Sequence, residues 1–178
     1  MTDNAVPEPH PAIEPLSFLL GRWEGFGKGD YPTIEPFDFI QEVMFTHNGK
    51  PFLIYTSRSW RKVTDDAGTV TKGQPLGMES GFWRPQPENG VELVLAHPTG
   101  VSEIYLGDVD GTKIDMTTHS VVLTPSAKQV NFGHRLYGLV ASTTRPGEKD
   151  LAYAYEMEAM GQPLQPHLWA QLEWTWTD

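Results

Sequence analysis

The sequence predicts an all-β domain: a closed, antiparallel, up-and-down barrel of about ten strands, preceded by one short N-terminal helix. Three observations carry this reading. Apolar residues alternate with period two from Arg22 onward, turn residues break the alternation at short intervals, and no later segment sustains a helical period, so βαβ units are absent. A two-sheet sandwich meets the same strand count. Closure is favoured because it leaves no exposed edge and encloses a cavity that a small ligand can fill.

Taken in chain order, residues 1–10 are acidic and proline-rich and read as a flexible tail, with the domain spanning 11–178. Ile13, Leu16, Leu19 and Leu20 recur at helical spacing ahead of Gly21, as in a short helix closed by a glycine. Gly25, Gly27 and Gly29 then alternate on one face of a strand that also carries Trp23. Missing side chains there let the strand bend or let another group approach closely, while Trp23 plugs one end of the barrel. Phe37, Phe39, Val43 and Phe45 share one face of the next strand, with Asp38, Ile40, Glu42 and Met44 on the other. Asn48-Gly49 marks a tight hairpin turn into an extended stretch at 51–60. Residues 63–74 are polar and read as a mobile loop. Further extended stretches cover 79–84, 91–97, 102–107, 112–118, 129–140, 151–160 and 167–176, separated by Gly90, Asp110-Gly111, Pro146-Gly147 and Gly161 with Pro163.

Composition excludes several classes. The 178 residues carry a net charge of −10 with no basic block, which argues against nucleic acid and anionic membrane surfaces. No cysteine is present, so disulfides, thiolate metal sites, Fe–S clusters and cysteine nucleophiles are ruled out. The chain holds no run of 18 apolar residues and no basic-then-apolar leader, and reads as cytoplasmic. His119 and His134, the closest histidine pair, are 15 residues apart, so no short-spaced metal motif exists. Gly77-Met-Glu-Ser-Gly81 has the wrong spacing for a nucleophile elbow, and the Gly25–Gly29 alternation is not a dinucleotide fingerprint. His167 follows Pro166 in a segment with Leu168, Ala170, Leu172 and Trp174 on one face and His167, Trp169, Gln171 and Glu173 on the other. By spacing alone it is one histidine in a half-polar strand.

The stretch Gly21-Arg-Trp23-Glu-Gly25-Phe-Gly27-Lys-Gly29-Asp-Tyr31-Pro32-Thr33-Ile34 resembles the Gly-x-Trp-x-Gly-x-Gly and Tyr-Pro-Thr-Ile signature of the nitrobindins. Phe45-Thr-His-Asn-Gly-Lys-Pro-Phe52, Glu79-Ser-Gly-Phe-Trp-Arg-Pro85, Met157-Glu-Ala-Met160 and His167-Leu-Trp-Ala-Gln-Leu172 agree with it in order. The resemblance implies a ten-stranded antiparallel barrel related to fatty-acid-binding proteins, holding one b-type haem (heme b) with ferric iron. It implies His167 as the axial ligand, Thr33 and Lys128 as haem contacts, and an activity that binds nitric oxide and isomerises peroxynitrite to nitrate. Ferric iron would act there as a Lewis acid, so no catalytic side-chain acid or base is required. Met157 and Met160 fall where they either wall the pocket or fill the core. One departure stands out: Leu76-Gly77-Met78 occupies the stretch where some relatives place a distal histidine. Zero cysteine agrees with a histidine-held haem that is not covalently attached.

The competing reading keeps the barrel and drops the iron: a binding or transport module for a fatty acid or another apolar small molecule. It needs inward basic residues for a carboxylate, for which Arg58 and Arg135 are the candidates. Sensing in place of turnover uses the same site. The partners expected are small molecules, not nucleic acid or membrane, and a homodimer stays open.

Overall fold

The computed structural model describes residues 7–175. Its strands are β1 (Gly21–Tyr31), β2 (Ile34–Thr46), β3 (Leu53–Thr64), β4 (Val70–Pro85), β5 (Gly90–Ala96), β6 (Val101–Asp110), β7 (Lys113–Leu123), β8 (Val130–Ala141), β9 (Lys149–Ala159) and β10 (Gln162–Trp174). Each pairs antiparallel with its sequence neighbours, and β1 pairs with β10 to close the barrel. This is the up-and-down order that the alternation and turns predict. No helix among the described residues is long and apolar enough to cross a membrane. Residues 1–6 of the expected tail, and Trp176 at the end of the last expected strand, lie outside the described residues.

The N-terminal helix is a 3₁₀ helix, Pro11–Leu19. Pro15 inside it has no N–H to give to an i−4 carbonyl, which favours the tighter winding. His10 caps it, its Nδ1 accepting from the Ala12 N–H at 3.1 Å. Ile13, Leu16 and Leu19 are fully buried, and the Trp23 indole N–H donates to the Leu19 carbonyl at 2.8 Å. The helix thus seals the end of the barrel where β1 begins. Above it Phe45, Tyr55, Trp83 and Tyr137 fill the lower interior with edge-on and tilted contacts at 5.0–6.0 Å. Packing therefore occupies one half of the barrel and leaves the other open.

Two sequence expectations need correction. Asn48-Gly49 does not form a two-residue turn; β2 and β3 are joined by residues 47–52, because Pro51 has no N–H for the ladder and Gly49 adopts φ 77°. Residues 63–74 are mostly strand, not loop. Val63 pairs with Thr71 and Thr64 with Val70, leaving only 65–69 as a turn held by Asp65 Oδ1, which accepts from the Ala67 and Thr69 N–H groups. This end of the hairpin is exposed on both faces, so it has no apolar alternation to read.

Candidate functional site

The open half of the barrel is a cavity of about 970 Å³ at the end carrying the β1–β2, β5–β6, β7–β8 and β9–β10 turns. Its wall is largely apolar, with Phe37, Phe39, Met157 and Leu168 among the lining side chains. Thr33, Lys128 and His167, which lie far apart in sequence, all line it. Thr33 and Lys128 are exposed at the rim, while His167 is half-buried.

His167 reaches the cavity through an irregularity. Strict alternation puts it on the face of Trp169, which is 52% exposed on the outer wall. In the pairing of β10 with β9, Pro166 faces Glu156 and Leu168 faces Tyr155, so His167 is the extra residue of a bulge. The bulge changes the phase of the strand, and His167 and Leu168 both face the lumen. On the other side, β1 pairs with β10 only as far as Gly29 with Leu168. The Asp30 carbonyl oxygen beyond that point lies 3.1 Å from His167 Nδ1. A carbonyl only accepts, so Nδ1 carries the proton and Nε2 keeps its lone pair. Tyr31 and Tyr155 brace the imidazole edge-on at 5.3 and 5.8 Å. Burial lowers the pKa of His167 from the ordinary imidazole value, outweighing the opposing pull of the Asp30 carbonyl, and the positive charge of Arg135 adds to the lowering. The result is a neutral, oriented imidazole with one bare nitrogen.

The glycines of β1 contribute by close approach. A Cβ on Gly25 would sit 2.3 Å from the Gln171 carbonyl oxygen, and one on Gly27 would meet both the Phe39 ring and the Trp169 carbonyl oxygen. A Cβ on Gly29 would overlap the Phe37 ring at 2.2 Å. These glycines let β10 and the phenylalanines of β2 close on β1 beside His167.

Deeper in the barrel an ion pair spans the lumen. Arg135 of β8, 4% exposed, donates from Nη1 and Nη2 to the two carboxylate oxygens of Glu79 on β4 at 3.0 and 2.9 Å. Tyr55 Oη also donates to Glu79, at 2.6 Å. Burial alone would raise the Glu79 carboxyl, but the charge and hydrogen bonds of Arg135, with help from His97, hold it down at about 2. Glu103, His97 and Tyr105 adjoin this pair. Arg135 is therefore inward-facing but already neutralised, and Arg58 is exposed. The two cations that a lipid carboxylate would use are not free in the lumen.

Leu76, Gly77 and Met78 line the cavity, and Met157 and Met160 line it too. Sequence reasoning missed the polar group of Glu79, His97 and Glu103. Its signal was Val101-x-Glu103-x-Tyr105, where a carboxylate falls in phase with inward apolar residues.

The family model described as the THAP4-like, heme-binding beta-barrel domain matches residues 12–173. The chain belongs to this family, the nitrobindins. A protein of Nocardioides sp. named peroxynitrite isomerase is 52% identical over 163 residues, covering 92% of this chain and 93% of that protein. A ferric nitrobindin-like protein of Thermobifida fusca is 40% identical, covering 93% of this chain and 95% of that protein. The crystal structure of Rv2717c from M. tuberculosis has a TM-score of 0.78 to this nitrobindin barrel at 41% identity, covering 94% of this chain and 99% of that one.

The geometry fits the group that the family description names. Among the described residues no set of three His, Asp or Glu side chains converges on a metal position. A metal held through His167 must bring its other ligands with it, as the iron of a porphyrin does. The cavity supplies apolar walls for such a ring, one free imidazole nitrogen, and polar rim groups at Thr33 and Lys128.

Proposed function

We propose that this chain is a ferric haem protein that isomerises peroxynitrite to nitrate and binds nitric oxide, with b-type haem held in the cavity of the 11–178 domain. The supporting observation is His167: its Nδ1 proton is committed to the Asp30 carbonyl, leaving Nε2 as the axial ligand. Lys128 pairs at the rim with a propionate, and the Thr33 hydroxyl donates a hydrogen bond to the bound group. When bound, the haem supplies a Lewis-acid iron for an anionic peroxynitrite oxygen.

This chain's own residues orient, exclude water and confine. Tyr31 and Tyr155 fix the plane of the imidazole, and burial keeps it unprotonated as a ligand. Phe37, Phe39, Met157 and Leu168 form an apolar wall that would keep small nitrogen and oxygen fragments close enough to recombine as nitrate. The residues bound the reaction without moving a proton, consistent with an isomerisation that has no net proton change. The same bound state, without turnover, would serve sensing. We place the protein in the cytoplasm from its sequence character.

Stopped-flow mixing of peroxynitrite with hemin-loaded protein tests the activity. Decay faster than with haem-free protein, with nitrate as the product, is expected. Unchanged decay, or nitrite and nitrated added phenol in place of nitrate, would overturn the assignment.

A further inference from the structure

The proposed chemistry leaves a buried polar chain unexplained. Tyr105, fully buried, donates from Oη to Glu103 Oε1 at 2.8 Å. The other Glu103 oxygen lies 2.9 Å from His97 Nε2, which donates to it. Glu103 is 2% exposed, whereas the His97 side chain is 20% exposed and lines the cavity near its open end. Burying a carboxylate is costly in lost hydration even with a cation near it, here the Arg135 guanidinium at 3.8 Å, and apolar side chains would fill this place at less cost. The order is phenol, base, exit.

Tyr105 also connects to the haem side of the cavity. A Cβ on Gly133 would lie 2.5 Å from Tyr105 Oη and 2.9 Å from Tyr155 Cε2, so both tyrosines converge on this glycine. The Tyr155 ring is in turn 5.8 Å from the His167 ring. We propose that Tyr105 is a redox-active tyrosine that absorbs an oxidising equivalent from one-electron oxidants arising in the cavity, with Glu103 as its proton acceptor and His97 as the link to solvent.

The step balances with nitrogen dioxide radical as the oxidant. One electron leaves the Tyr105 phenol, tunnelling past the Tyr155 ring without oxidising it, and reduces the radical to nitrite. The phenolic O–H bond breaks and its proton moves to Glu103 Oε1. The products are a neutral tyrosyl radical, a protonated Glu103 and nitrite. An oxidising fragment that escapes recombination is thereby drawn away from His167.

Arg135 sets which tyrosine holds the radical. Its guanidinium lies 4.5 Å from the Tyr155 ring and 5.1 Å from the Tyr105 ring. A cation over a ring opposes a positively charged ring, so oxidation here must release its proton at once. Tyr105 has a carboxylate to receive it; among the described residues Tyr155 donates to none. Burial holds the Tyr105 phenol far above the usual range, so it stays protonated until oxidised. Tyr55 also donates to a carboxylate, but Glu79 is bound by both Arg135 nitrogens and held at about 2, a poor proton acceptor.

Only the identity of the oxidant rests on the function proposed above, so the test uses both haem-free and hemin-loaded protein. Nitrogen dioxide radical is generated by pulse radiolysis of nitrite, and the tyrosyl radical is followed by absorbance and electron paramagnetic resonance. The wild type gives a tyrosyl radical, Tyr105→Phe loses it, Tyr55→Phe keeps it, and Glu103→Gln slows its appearance and removes the solvent deuterium effect. An unchanged signal in Tyr105→Phe overturns the proposal. A second measurement needs no variant: coupling of a second nitrogen dioxide radical leaves 3-nitrotyrosine at Tyr105 in the wild-type peptide map, and nitration confined to other tyrosines overturns it. A radical at Tyr105 in haem-free protein upholds the relay even where peroxynitrite turnover fails.

Discussion

His167 Nδ1 sits 3.1 Å from the Asp30 carbonyl oxygen, just where β1 and β10 stop pairing. The backbone acceptor cannot be removed by a side-chain change, so the tautomer is written into the barrel's closure. Burial lowers the His167 pKa, which decides how its ligand role depends on pH. A histidine with a folded-state pKa below its unfolded value contributes stability that is full above the unfolded value, about 6.5, and is lost as pH falls through the folded value. Hemin affinity should be flat above about pH 6.5 and decline below it. Spectrophotometric titration across this range checks the point; loss beginning above neutral pH would contradict it.

Glu79 and Arg135 form the second coupled pair. Glu79→Gln takes the bidentate carboxylate from a buried guanidinium, leaving it only Glu103 at 3.8 Å, and should cost about 3 kcal/mol, measured by urea unfolding at pH 7. The lowered Glu79 carboxyl, from 4.5 to about 2, gives the wild type stability that is complete above 4.5 and is lost as pH falls toward 2. The variant should lack this part of the acid limb.

The glycines of β1 separate into two kinds. Gly27→Ala drives a Cβ into the Trp169 carbonyl, which belongs to a paired strand and cannot retreat, so a loss of about 1–3 kcal/mol in stability is expected. Gly29→Ala presses first on the Phe37 ring, which supplies its three nearest atoms, and that ring lines the cavity. Its main effect should be weaker hemin binding with near-wild-type unfolding, seen by comparing hemin titration and thermal melts.

At the rim, Lys128→Ala should weaken hemin binding by no more than about 1 kcal/mol, with the difference vanishing at high salt, because Lys128 is exposed. Thr33→Val should cost a similar amount, about 1 kcal/mol, that salt does not remove. Titrations at two ionic strengths distinguish the two contacts.

Much of the barrel was legible because inward and outward residues alternate cleanly, as from Phe37 to Phe45 and from Val101 to Tyr105. The helix was legible as an apolar stripe, but its 3₁₀ winding comes from Pro15, which spacing does not report. His167 was legible only through the nitrobindin resemblance. Alternation alone places it outside, since a bulge after Pro166 leaves the sequence period unmarked and shows only in pairing with β9. The polar group of Glu79, His97, Glu103 and Arg135 was not legible as a unit. Its members stand on or beside β4, β5, β6 and β8, and only closure of the barrel brings them across one lumen.

The central claim is that His167 holds a haem iron through Nε2, and hemin titration of the wild type beside His167→Ala tests it most directly. The wild type should develop a Soret band with quenching of tryptophan fluorescence, while His167→Ala, folded by circular dichroism, should lose that band. A Soret spectrum of wild-type position and strength in His167→Ala would contradict the account.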